Sequence, residues 1–248
     1  MAAHYDTIGV DYAELRKADP RIGQRIRRAL GSARTVLNVG AGAGSYEPPD
    51  LAVTAIDPSR EMLAQRPEGA ADAHQGVAEA LPFEDNAFDA AMAVLTVHHW
   101  DDATRGLSEM SRVSRGPIAI LTYDPSFRGF WLTDYLPELL ALDEGQMPPM
   151  SLYERCLGPV DVESVPIPAN CTDGFLCAYW RRPGAYLDPR IRRGISSFWK
   201  LGDTTAALER LKQDLDSGAW NERYGHLLDR DELDLGYRLV IRPGAPLQ

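Results

Sequence analysis

No stretch of this chain approaches the ~20 consecutive apolar residues that a membrane span requires. Its opening, Met1-Ala2-Ala3-His4-Tyr5-Asp6, lacks the apolar heart of a secretory signal, so no membrane span and no export are expected. Positive charge is also short: 26 Lys and Arg stand against 36 Asp and Glu, a formal net charge of −10. That balance repels a phosphate backbone and excludes nucleic acid as the expected partner. Cysteine is scarcer still. Cys156, Cys171 and Cys177 are odd in number, which points to reduced thiols in a cytoplasmic protein rather than a disulfide framework. Three thiols could hold a thiophilic metal, but free cysteine packs as a small hydrophobe, and no metal is expected. Repeats and low-complexity segments are missing as well. What remains is 248 residues, 44% hydrophobic, enough for one large α/β domain with or without an inserted cap.

Glycine is concentrated where it matters. Val36-Leu37-Asn38-Val39 reads as a buried strand that runs directly into Gly40-Ala41-Gly42-Ala43-Gly44. Gly40 and Gly42 free the chain for a tight turn and let a ligand approach the backbone. The spacing is G-x-G-x-G. A dinucleotide fingerprint would need a glycine at Ser45, and no Lys-Ser/Thr follows to make a phosphate loop. A second apolar run, Ala52–Ile56, ends on Asp57-Pro58-Ser59. An acid at that strand tip accepts hydrogen bonds from ribose hydroxyls, although Asp57 could equally cap the helix that follows. Next come Gly76–Phe83, then Phe88–Thr96, then His98-His99-Trp100-Asp101.

Four ordered blocks at these distances resemble the class I S-adenosylmethionine (SAM)-dependent methyltransferases, and among them the ubiquinone/menaquinone-methyltransferase-like, or type 11, branch. The resemblance covers roughly residues 5–125. It implies a doubly wound, seven-stranded Rossmann-like sheet and SAM as cofactor. It implies that Gly40, Ala41 and Gly42 wrap the amino-acid end, that Asp57 holds the ribose, and that Met62, Ala78 and Glu79 meet the adenine. Tyr12 and Arg16 match the tyrosine-bearing helix that closes over the cofactor, with Arg16 a candidate for the methionine carboxylate. Asn38, Pro58, Leu95 and Thr96 complete the expected cofactor set. Two positions depart from the family pattern: Val77 stands where many relatives carry Asp, and Asn38 replaces an acid. Asn38 can accept one hydrogen bond through its carbonyl but gives no charge-assisted bond.

The rest of the chain is read from periodicity. Pro20, Ile22, Ile26 and Leu30 give a helix with proline in its first turn, stopped by Gly31. Seven residues between Gly44 and Ala52 leave room for at most one helical turn, where parallel crossovers usually carry a full helix. Asp101 is expected to cap a helix bearing Leu107, Met110 and Val113. Strands are expected at Pro117–Thr122, Val160–Val165 and Leu235–Ile241, and helices at Ile191–Lys200 and Thr205–Leu215. The organisation that follows is an N-terminal lid of helices at 1–30, a SAM-binding core at 31–168, a helical substrate cap at 169–233, and a last strand and tail at 234–248. A structureless insertion of that length would be improbable, hence the cap.

Three candidates for proton transfer emerge. His98 and His99 follow the fourth strand, where parallel sheets place ligands, and histidine titrates near neutrality. Asp173, in a turn that opens the cap, is the alternative base. Phe130, Trp131, Tyr135, Phe175, Tyr179 and Trp180 are the expected acceptor wall. Arg181, Arg182, Arg190, Arg192 and Arg193 are either a solvated face or an anion site. The function expected is methyl transfer to a small molecule, first O-methylation of a phenol or hydroxyl in secondary metabolism. C-methylation of a quinone, indole or prenyl-type acceptor, or SAM binding without transfer, are the alternatives. The protein would act as a monomer or homodimer.

Overall fold

The computed structural model of the chain describes residues 16–244. Its strands, in chain order, are β1 (Thr35–Val39), β2 (Ala52–Asp57), β3 (Asp72–Gln75), β4 (Ala90–Val94), β5 (Ile118–Tyr123), β6 (Asp161–Ser164), β7 (Ile167–Pro168), β8 (Glu232–Leu233) and β9 (Tyr237–Arg242). Seven of them form one sheet in the order β3-β2-β1-β4-β5-β9-β6. The first five run parallel, and β9 lies antiparallel between β5 and β6. Central parallel strands are covered on both faces, so they read as unbroken apolar runs. All six residues of β5 are buried, as are Ala90 to Ala93 of β4.

One face of the sheet is covered by α1 (Pro20–Ala29). Asp19 caps it by accepting from the Arg21 amide at 3.0 Å. Ile22, Ile26 and Leu30, four residues apart, are all but fully buried in the main core. This corrects the lid expectation for residues 20–30: α1 is a core helix. Residues 1–15 of the expected lid, Tyr5 and Tyr12 included, lie outside the described residues. The short helix α2 (Arg60–Ala64) starts at a Ser59 cap. On the other face, α3 (Ala103–Val113) buries Leu107, Met110 and Val113. Its cap is Asp102 rather than Asp101; the Asp102 carboxylate accepts from the Arg105 amide at 3.0 Å. The connection from β1 to β2 contains no helix, as its length requires.

After β5 come α4 (Glu138–Gln146) and α5 (Met150–Leu157). The cap holds α6 (Pro189–Arg193), α7 (Ser196–Lys200), α8 (Thr205–Ser217) and α9 (Ala219–Tyr224). The helix expected over 191–200 is split at Gly194. β7 pairs antiparallel with β8, Ile167 opposite Leu233, and closes the neck of the insertion.

Phe130, Trp131, Tyr135, Tyr179 and Trp180, expected to line a pocket, instead weld the cap to the core. Trp131 packs edge-on against Trp220 at 5.3 Å and Tyr186 at 5.6 Å, and its indole N–H donates to the Trp180 carbonyl at 2.8 Å. Phe130, Trp131, Tyr135 and Trp180 are each at most 4% exposed. Tyr179 packs on Tyr186 with Arg182 over its ring. Edge-to-face rings, with the Trp131 and Trp180 N–H groups satisfied by backbone carbonyls, form a core, not a wall. Trp131→Ala should therefore destabilise the protein by about 3–5 kcal/mol, the usual cost of deleting a buried large aromatic. Urea unfolding would show this as a lower midpoint at unchanged slope, and a midpoint equal to wild type would mean the cluster is not core.

Candidate active site

At the carboxyl ends of β1, β2 and β4 the sheet opens into a cavity of about 970 Å³. Gly40 and Gly42 turn the chain there with φ of +71° and +51°. A Cβ at Gly40 would lie 2.1 Å from Thr96 Oγ1, so the loop after β1 touches the loop after β4 through a glycine alone. At Gly42 a Cβ would meet Met62 Cε at 3.2 Å. The Asp57 carboxylate, at the tip of β2, accepts from the Gly42 amide at 2.8 Å and the Ser59 amide at 2.9 Å. Burial raises its pKa, against those two bonds and the Arg66 charge, which lower it.

Beneath the loop, Glu47 binds Arg66 through two bonds of 2.9 and 2.7 Å, and Asn38 donates its amide to Glu47 at 3.0 Å. The Asn38 Oδ1 that remains is buried and has no hydrogen-bond partner among the described residues. Buried acceptors are almost always satisfied, so this one is suited to a donor such as an ammonium group. Of the expected cofactor residues, Arg16, Asn38, Gly40, Ala41, Gly42, Asp57, Pro58, Met62, Ala78, Glu79, Leu95 and Thr96 all border this cavity. Tyr12 lies outside the described residues. Leu95 adopts φ +51°, a conformation costly for a side chain with Cβ, and such strain gathers at functional sites.

Arg16 and Asp173 were expected in different roles, one toward a carboxylate and one as a base. They bind each other. Arg16 Nε donates to Asp173 Oδ1 at 2.5 Å, and the Tyr46 hydroxyl donates to Oδ2 at 2.8 Å. Asp173 is 1% exposed and does not border the cavity, which corrects its assignment as a base: its oxygens serve a structural junction.

His98 and His99 do face the cavity, in the turn that follows β4, with ring centroids 3.9 Å apart. Desolvation, with Lys200 and Arg16 nearby, holds His99 down to about 4; desolvation, His99 and the same two cations hold His98 well below its ordinary value. Both are neutral at neutral pH and resist a proton. Burial and the neighbouring cations therefore work against either imidazole as a base. Of the expected acceptor wall only Phe175 borders the cavity. The wall is built instead by residues that sequence reading passed over: Tyr123, Met147, Leu176, Ile195, Trp199 and Tyr237, with Asp143 and Lys200 among them. A second, more open cleft of about 1330 Å³ lies at the opposite ends of the strands, beside Thr35, Asp89 and Pro117, and shares nothing with the glycine loop.

Comparison with known proteins gives this geometry a lineage. Residues 37–117 match the family model described as a methyltransferase domain. A solved structure from Anabaena variabilis, described as a methyltransferase from an antibiotic biosynthesis pathway, superposes with a TM-score of 0.84 at 31% identity, covering 92% of this chain and 99% of that one. The chain belongs to the class I SAM-dependent methyltransferases. An uncharacterized methyltransferase of Mycobacterium tuberculosis is 39% identical over 122 residues, 45% of this chain and 49% of that protein. The ubiquinone/menaquinone biosynthesis C-methyltransferase of a Geobacter strain is 29% identical over 169 residues, 56% of this chain and 69% of that protein. The match thus spans about half the length of the first of these curated relatives.

The residues present fit the methyltransferase cofactor. Asp57 would take the ribose hydroxyls, Asn38 Oδ1 the ammonium, and Met62 and Ala78 the adenine face. Gly42→Val adds a branched side chain at a left-handed position and against Met62, so SAM binding should collapse. Asp57→Ala should lose about 1.5–3 kcal/mol of binding, the range for hydrogen bonds to a charged group. Calorimetry with SAM checks both, and unchanged affinity in the pair would sink the assignment.

The imidazoles also predict a pH response. The unfolded chain protonates them near 6.5, the fold only near 4 for His99 and still with difficulty for His98. Between those values the unfolded state binds more protons, so stability falls as pH falls, by up to about 1.4 kcal/mol per pH unit per group. Urea unfolding at pH 7 and pH 5 should show a difference that shrinks in a His98→Gln/His99→Gln double variant. Equal differences in the two proteins would refute the burial argument.

Proposed function

We propose that this protein transfers the methyl group of SAM to a small-molecule acceptor, and that the acceptor nucleophile is the oxygen of a phenol or related hydroxyl. One observation supports this above the rest: a single cavity joins the Gly40–Gly42 loop and Asp57 to a zone walled by Tyr123, Phe175, Trp199 and Tyr237. A protein that only held the cofactor would have no use for that aromatic extension. Bound SAM supplies an electrophilic methyl on a cationic sulfur. The protein's part is alignment and exclusion of water. The glycine loop and Asp57 fix one reactant, the aromatic faces favour a flat acceptor, and α4, α7 and the turn at Phe175 close the walls around it.

C-methylation of a prenyl-type acceptor has less support. Three of the five arginines that could have held a diphosphate are bonded to the backbone: Arg181 donates to the carbonyl of Arg230, Arg182 to those of Cys171 and Ala178, and Arg192 to that of Tyr186. None of the three borders the cavity.

The test is methyl transfer from isotopically labelled SAM to a panel of mono- and dihydroxy aromatics, with the position of the label found by NMR. Label on oxygen, lost in Asp57→Ala, is the expected result. Tight SAM binding with label appearing only on carbon would overturn the choice of nucleophile, and no SAM binding would overturn the whole proposal.

A further inference from the structure

One buried carboxyl group bordering the cavity is unaccounted for by the glycine loop or by the expected bases. Asp143 ends the apolar run Leu139-Leu140-Ala141-Leu142 in α4, is 7% exposed, and borders the cavity. Helix α4 turns Leu139 and Asp143, four residues apart, to the interior together. Burying a carboxylate is expensive unless it is paired, so a buried one beside a cavity needs a reason. The Gln146 side chain, one turn on, and the Lys200 charge both favour its ionised form, and Gln146 Oε1 accepts from Lys200 Nζ at 2.5 Å. The charged and titratable groups around Asp143 come from every element packed there. Lys200 projects from α7. Arg128 follows β5 and is ion-paired with Glu144. Tyr123 of β5, Tyr237 of β9 and Cys177 of the cap are all raised by burial, and therefore neutral across the working range.

We propose that Asp143 is the catalytic proton acceptor for a phenol-type substrate bound between α4 and the glycine loop, with Gln146 and Lys200 as its positioning residues. This rests on the methyltransferase reading. Charge decides between the candidates. Protonating an imidazole would add a cation beside Lys200 and Arg16, both of which already oppose it, in a cavity that would receive a sulfonium. Protonating a carboxylate removes a charge instead, and a desolvated site favours that direction. Burial pushes the Asp143 pKa up to about 6, so the group is ionised at neutral pH and its affinity for a proton is stronger than that of an ordinary carboxylate.

The step balances without another reactant. The phenol O–H proton passes to an Asp143 oxygen while the O–H electron pair stays on the phenol oxygen. An oxygen lone pair forms the new C–O bond to the methyl carbon, and the methyl–sulfur bond breaks with its pair going to sulfur, giving an aryl methyl ether and a neutral thioether. The proton on Asp143 returns to water when the ether leaves.

The probe is 2-naphthol, a flat two-ring phenol, offered to the full chain saturated with the demethylated cofactor. Calorimetry should show binding in wild type that weakens as pH falls through about 6, and Asp143→Asn should lose that acid limb. Asp143→Glu should retain it. Removing a buried charge should leave Asp143→Asn at or above the wild-type melting temperature, so loss of fold does not cloud the comparison. With SAM in place, single-turnover transfer to 2-naphthol should fall about 10²–10⁴-fold in Asp143→Asn at unchanged SAM affinity, the range for loss of a general base. Failure to bind 2-naphthol, an acid limb that survives in Asp143→Asn, or transfer absent in wild type or equal in the two proteins would each overturn the proposal. SAM affinity reports separately: if it is intact the methyltransferase reading stands, and if it is absent that reading falls first.

Discussion

The junction at Asp173 is the interaction on which the site depends. A nearly inaccessible carboxylate takes a bond from Arg16 and another from Tyr46. Asp19, which caps α1, also accepts from the Thr172 amide next door, and its own amide donates to Tyr46 Oη. Three remote parts of the chain meet here: the approach to α1, the loop after β1, and the opening of the cap. The loop after β1 has no helix to stiffen it, so Tyr46, seated against Gly23 of α1, does that work from the side. Removing one partner from such a buried pair typically costs 3–5 kcal/mol, because the charge left behind stays desolvated. Loop, cap and N-terminal approach therefore hold one another in register.

The strands that build the cavity floor were legible because each prints its own signal. Parallel central strands are continuous apolar runs, and a glycine loop followed by an acid at the next strand tip leaves few alternatives. That helices lie between β6 and β9 was legible from the helical patterning and length of that stretch. Side-chain partnership was not. Arg16 and Asp173 lie 157 positions apart, and no local pattern links them. Each was given a ligand of its own because neither could be seen to have the other.

Two failures share a cause. Trp131 and Trp180 were read as pocket wall and are packed interior, whereas Asp143 was not singled out and borders the cavity. Helical period tells which residues face inward. It does not say whether inward means packed interior or lined space, since both are hidden from solvent. The acid interrupting Leu139–Leu142 was the available clue, because a carboxylate on an apolar face must meet either a cation or a cavity. His98 misled in the complementary way. It borders the cavity, but burial lowers its proton affinity, and sequence carries only the ordinary titration range of a residue type while desolvation belongs to the fold.

The Glu47–Arg66 pair under the glycine loop has a consequence for the solvent. Both side chains are at most 10% exposed, so mobile ions cannot come between them. Screening acts on charges that water reaches, and this pair sits inside that boundary. The chain as a whole carries a strong negative excess, and its surface field will swell and shrink with ionic strength. The backbone that Glu47 and Arg66 support is decoupled from that field, which separates the shape of the loop from the salinity of the surroundings.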